Sequence, residues 1–133
     1  MSGVLRTGRS LTLPGRSAIE LASGEQGGYE TTVRRVTIPP GGASQARRGP
    51  HRHDSCEEIM IILSGAGELR AEDETWAVAP GDVVVVSRGA LHRTRNTGSD
   101  DLVLLCVLPV ADVAGVTHEL DDEPASWSEG DAT

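Results

Sequence analysis

Through the middle of this chain, apolar residues fall in alternation or in short unbroken runs, each cut off by glycine, proline or acidic turns. Tyr29–Ile38 is rich in Thr and Val and stops at Pro39-Pro40-Gly41-Gly42. Glu58–Leu63 is almost wholly apolar and short, the mark of a strand buried on both faces. Ser64-Gly65-Ala66-Gly67 breaks it, Glu68–Ala71 resumes, and Glu72-Asp73-Glu74 turns the chain into Thr75–Ala79. Ala79-Pro80-Gly81-Asp82 has Pro and Gly where a type II turn needs them. Four valines, Val83–Val86, favour strand over helix because branching at Cβ restricts their rotamers. Leu91–Asn96 and Leu102–Val110 follow, separated by a polar turn at Asn96–Asp101. About eight short, regularly spaced strands with no amphipathic helix before residue 111 predict an all-β sandwich or barrel.

Composition sharpens the boundaries. The chain has 133 residues, enough for one domain, with 20 acidic against 12 basic residues and a net charge of −8. Much of that charge lies at the C-terminus, where Asp112, Glu119, Asp121, Asp122, Glu123, Glu129 and Asp131 meet no arginine. The remainder is close to neutral. We therefore expect an N-terminal arm over 1–16, a barrel over 17–110 and an acidic, flexible tail over 111–133. Every basic residue is arginine, which excludes lysine Schiff-base and P-loop chemistry. Acidity and only three aromatics (Tyr29, Trp76 and Trp127) argue against a nucleic-acid partner. No apolar run approaches a membrane span of about 20 residues, and the arginine-bearing N-terminus has no secretory core. Cys56 and Cys106 make no disulfide framework, so the expected location is the cytoplasm.

Three histidines carry the candidate chemistry. His51 and His53 are two apart in an extended segment, which puts both imidazoles on one strand face about 7 Å apart. Glu57 and Glu58 follow a short turn, and His92 opens a later strand. Imidazole with carboxylate suits one divalent metal per chain, of the class Fe, Mn, Ni, Co, Cu or Zn.

These residues resemble the two motifs of the cupins. His51-Arg52-His53, four residues, Glu58, six residues and Gly65 is similar to the first. Gly81, five residues, Ser87-Arg88-Gly89, two residues, His92, three residues and Asn96 is similar to the second. Fifteen residues separate Gly65 from Gly81, the compact spacing of small single-domain cupins. Two turn positions depart from the pattern: Gln45 stands for a glycine and Ser87 for a proline. The resemblance implies a double-stranded β-helix, or jelly roll, with His51, His53, Glu58 and His92 as metal ligands. It selects Glu58 by the count to Gly65 and leaves Glu57 on the opposite face.

Alternation from these ligands proposes a pocket wall for a small-molecule substrate: Gln45, Arg47, Met60, Ile62 and Thr94. Arg47 is the candidate carboxylate clamp. Arg52, Arg93 and Arg95 count as outward, and Asn96 as a turn anchor. Cys56 reads as a surface thiol, Cys106 as core and Trp76 as packing. Two functions compete. The first is a metal-dependent enzyme on an oxygen-rich carboxylate, enol or carbonyl compound, since similar small cupins include dioxygenases, isomerases, decarboxylases, lyases and ring-forming enzymes. The second is a non-catalytic metal- or ligand-binding cupin. The runs Ile59–Leu63 and Val83–Val86, apolar on both faces, also predict a homodimer.

Overall fold

Strands whose side chains alternate between core and solvent must pair along their edges and bury one face, and here two antiparallel sheets do so against each other. The computed structural model describes residues 2–41 and 48–127. Its strands are β1 (Arg9–Leu13), β2 (Arg16–Ala22), β3 (Thr32–Ile38), β4 (His51–His53), β5 (Glu58–Ser64) and β6 (Gly67–Ala71), followed by β7 (Glu74–Val78), β8 (Val83–Val86), β9 (His92–Asn96), β10 (Leu102–Leu108) and β11 (Thr117–Glu119). The larger sheet has the order β1-β2-β3-β10-β5-β8 and the smaller β11-β4-β9-β6-β7. The expected all-β jelly roll is the fold observed.

Period two explains the interior. Along β10, Leu102, Leu104, Cys106 and Leu108 are buried while the residues between them are partly exposed. Val36 and Ile38 on β3, Met60 and Ile62 on β5, and Leu69 on β6 join them in one apolar cluster. Gly65 sits at φ +89°, and a Cβ there would lie 2.5 Å from the Asp101 carbonyl oxygen. That close approach carries the chain from β5 to β6 beneath the Asn96 turn. Asn96 anchors this turn as expected: its amide nitrogen donates to the carbonyls of Ile38 and Asp100, and its oxygen accepts from Gly98 N. The Ser87 position turns without a proline, through an Ala90 N to Ser87 O bond of 3.1 Å. Among the described residues no helix is long and apolar enough to cross a membrane.

Both ends carry strands among the described residues. β1 lies within the arm residues 1–16 and pairs with β2 from Arg9–Glu20 to Leu13–Arg16. In the tail, β11 pairs with β4, Thr117 opposite His53 and Glu119 opposite His51. Trp127 is buried, with the Arg70 guanidinium 4.4 Å from its ring centre and that of Arg93 at 5.5 Å. Acidic composition suggested disorder, but three backbone pairs and one aromatic anchor hold this segment to the smaller sheet. Its cover also explains why Arg93, counted as outward, is buried.

Other side chains change places for related reasons. Trp76, expected to pack, is 44% exposed on the edge strand β7. Cys56, expected at the surface, is buried, because the turn 54–57 folds back on the core. Cys106 is buried as expected, and both cysteines are free thiols.

Candidate metal centre

β4 supplies His51 and His53 from one face, β9 supplies His92, and β5 reaches across from the other sheet with Glu58. His51 is directly opposite His92 in the β4–β9 pairing, which fixes two imidazoles side by side. One ligand atom from each of the four residues lies within 4.8 Å of every other. His53, Glu58 and His92 are buried and His51 is partly exposed, whereas Glu57 is exposed. Alternation thus separates the two adjacent glutamates as expected.

The hydrogen bonds set the tautomers. His92 Nδ1 lies 2.9 Å from the Ala90 carbonyl oxygen, which can only accept, so that nitrogen carries a hydrogen. Thr117 Oγ1 donates to the Val113 carbonyl at 2.6 Å and so accepts from His53 Nδ1 at 2.8 Å. Both rings therefore turn Nε2 toward Glu58 Oε1, at 3.2 Å for His53 and 2.9 Å for His92. Protonating both Nε2 atoms would bury two imidazoliums on one carboxylate. One divalent cation supplies the same charge at a single point. Ligands about 2.0–2.2 Å from such an ion and at right angles are about 2.8–3.1 Å apart, close to the separations found. The residues fit a metal.

Burial opposes charge on Glu58, and positive charge between it and His53 and His92, whether protons on their Nε2 atoms or a cation in the protons' place, holds its carboxyl well below the ordinary range. Burial, with His92 and Arg16 nearby, holds His51 well below the usual imidazole range, so it is neutral and free to ligate. Burial and Glu58 push the Cys106 thiol well up.

A cavity of about 250 Å³ opens beside this group. Met60 and Thr94 are among the residues that line it. Ile62 does not; it lies four residues beyond Glu58, about 13 Å along the strand, and packs in the core. Gln45 and Arg47 lie outside the described residues. The arginine that the structure brings to the cavity is Arg48. Its Nη1 is buried without a hydrogen-bond partner among the described residues, while its Nη2 donates to the Thr94 carbonyl. Burial and the charges of Arg16 and Arg93 push its pKa down to about 10, which leaves it cationic at neutral pH. Gly49-Pro50 is where strict alternation fails. A Cβ on Gly49 would collide with the Leu120 carbonyl, so the C-terminal segment packs closely against the backbone here.

Sequence reasoning also missed Arg16, Arg34 and Glu119 at the cavity. Arg16 meets Glu119 at 3.1 Å, and Glu119 lies 4.0 Å from His51 Nδ1. Arg34 was within reach of the pattern, since it shares the inward parity of Val36 and Ile38.

A family model described as "Cupin domain" matches residues 34–108, more than half of the chain. The chain belongs to the cupin family. The oxalate-binding protein of Thermotoga maritima is 34% identical to this cupin over 74 residues, 56% of this chain and 58% of that protein. The 5-nitrosalicylic acid 1,2-dioxygenase of a Bradyrhizobium species is 30% identical over 74 residues, 56% of this chain and 35% of that enzyme. Oxalate decarboxylase of Lactobacillus farciminis, solved with formate, superposes with a TM-score of 0.71 at 20% identity, over 85% of this chain and 33% of that one. Mn(II) centres are described for the Bacillus subtilis oxalate decarboxylase, with TM-score 0.69 at 20% identity over 86% of this chain and 30% of that one. This cupin thus spans roughly a third to three-fifths of the length of these proteins.

Proposed function

We propose that this cupin binds one divalent metal per chain through His51, His53, Glu58 and His92 and uses it on a small oxygen-rich acid. The observation that carries the reading is the convergence of the four ligand atoms beside Arg48, whose buried Nη1 has no partner among the described residues. A divalent ion held there supplies Lewis-acid polarisation of a carbonyl or carboxylate oxygen. Ala90 and Thr117 hold the two imidazoles in their ligating tautomers, and Arg48 orients a carboxylate. A dication with one carboxylate ligand and a neighbouring guanidinium makes the cavity attract anions. The relatives named for oxalate binding and for a salicylate dioxygenase support an acidic substrate. The oxalate-binding relative also favours a second reading, a cupin that binds its acid without transforming it.

Elemental analysis of the purified protein should find about one divalent metal per chain, and His51→Ala or His92→Ala should lose it. Full occupancy in both variants would sink the assignment. A carboxylate soaked onto an exchangeable metal position supports catalysis, whereas a closed coordination sphere supports the binding protein. Free thiols at Cys56 and Cys106 support a reducing compartment such as the cytoplasm. For assembly we favour a homodimer. β8 is an edge strand with Val83 and Val85 62% and 59% exposed, and Trp76 lines the same groove. Sedimentation at micromolar concentration should give twice 14.0 kDa, and a monomer would count against it.

A further inference from the structure

The cavity is larger and more apolar than a binding site for the smallest acids requires. Its volume of about 250 Å³ exceeds the roughly 150 Å³ of an engineered cavity that takes up benzene. By proportion it has room for roughly ten non-hydrogen atoms. Oxalate has only as many as benzene.

The lining is also divided. His51, His53 and His92 stand on the smaller sheet, and Glu58 meets them from β5. In the larger sheet, β10 beside β5 presents Leu104 and Leu108, and β3 beyond it presents Val36 and Ile38. These side chains hold no donor or acceptor. Among the described residues three arginines reach the cavity, but two are engaged. Arg16 is held by Glu119 and the Pro14 carbonyl, and Arg34 by Glu20. Arg48 keeps a buried nitrogen without a partner among the described residues. One cationic contact on the side of β9, where Arg48 bonds the Thr94 carbonyl, and an aliphatic wall on β3 and β10 match a molecule with one acidic head and one apolar body.

We infer that the cavity takes an amphiphilic acid, its carboxylate directed to the metal-site group and Arg48 and an aliphatic body of about three or more carbons laid on β3 and β10. This inference rests on the metal-and-acid reading above and narrows its substrate class.

Calorimetry on the full chain loaded with Mn(II) tests it, using pyruvate, 4-methyl-2-oxopentanoate and oxalate as probes. The two oxo acids share a metal-binding head and differ only by three carbons in the body. Each buried methylene strengthens binding about fourfold, so the branched acid should bind about 10- to 60-fold tighter than pyruvate. Equal affinity of the two oxo acids, or tighter binding of oxalate than of the branched acid, overturns the inference and leaves the metal-and-acid reading standing. No binding of any of the three overturns that reading, and the inference with it. Val36→Phe, which fills the aliphatic side, should weaken the branched acid at least about tenfold and spare pyruvate. Unchanged affinity for both takes the body off β3 and overturns the assignment. Should that variant not fold, the wild-type series decides alone.

Discussion

Among the described residues two glutamates lie buried, and they are buried for opposite reasons. Glu20 on β2 is 2% exposed and Glu58 on β5 is 6% exposed. Glu20 accepts from Ser23 Oγ at 2.8 Å, from Arg34 Nε at 3.1 Å and from Arg9. All three partners bring their own hydrogens, and two carry permanent charge. Burial opposes ionisation of Glu20, but these bonds hold its carboxyl below the ordinary range. Glu58 faces two imidazole nitrogens whose rings have already committed their hydrogens to Ala90 and Thr117. A buried carboxylate by itself therefore says little about function. What separates a structural ion pair from a metal ligand is whether the groups facing it are donors or lone pairs.

The largest expected effect breaks this comparison directly. Glu58→Gln should take the protein from about one metal per chain to none on elemental analysis. Glu20→Gln should keep the metal and lose about 1–3 kcal/mol of folding stability in chemical denaturation, by leaving the largely buried Arg34 without its carboxylate. Metal retained in the first variant, or lost in the second, would erase the distinction. The pH dependence carries the same contrast. Because the folded pKa of Glu20 lies below its ordinary value of 4.5, the unfolded chain takes up the proton first as the solution is acidified. The stability from this site is therefore full above pH 4.5 and is lost as pH falls through the folded value. In Glu20→Gln the loss of stability below pH 4.5 should be correspondingly shallower.

How legible these features are in the sequence depends on whether backbone pattern or tertiary contact decides them. Strand periodicity places Met60 and Thr94 on the cavity, separates Glu58 from Glu57, and puts Cys106 in the core. The four residues of the candidate metal site follow from motif spacing, which survives the change at Ser87 because the turn there closes without a proline. Arg48 escapes the pattern because Gly49-Pro50 interrupts the alternation that points to Arg47. Thr117, Glu119 and Trp127 escape because an acidic, proline-containing stretch reads as disorder. What orders that stretch lies in other parts of the chain: the edge of β4 and the guanidiniums of Arg70 and Arg93. Arg93 is misplaced for the same reason, since its burial depends on a cover some thirty residues away.

The smallest effect is also the most discriminating, because it reaches the metal site without replacing any of the four candidate ligands. Thr117→Val keeps the shape of the side chain but removes the oxygen that receives the His53 Nδ1 hydrogen. Without that partner the ring is free to adopt the other tautomer, which would present a hydrogen where the metal needs a lone pair. Losses of this kind reduce metal affinity about 10- to 100-fold. Competition with a chelator should show that weakening, while Thr117→Ser, which restores the hydroxyl, should recover the wild-type affinity. If valine and serine bind metal alike, β11 serves only to complete the smaller sheet. If they differ as expected, the C-terminal strand is part of the metal centre, and Thr117 distinguishes the Glu58 site from the self-sufficient ion pairs around Glu20.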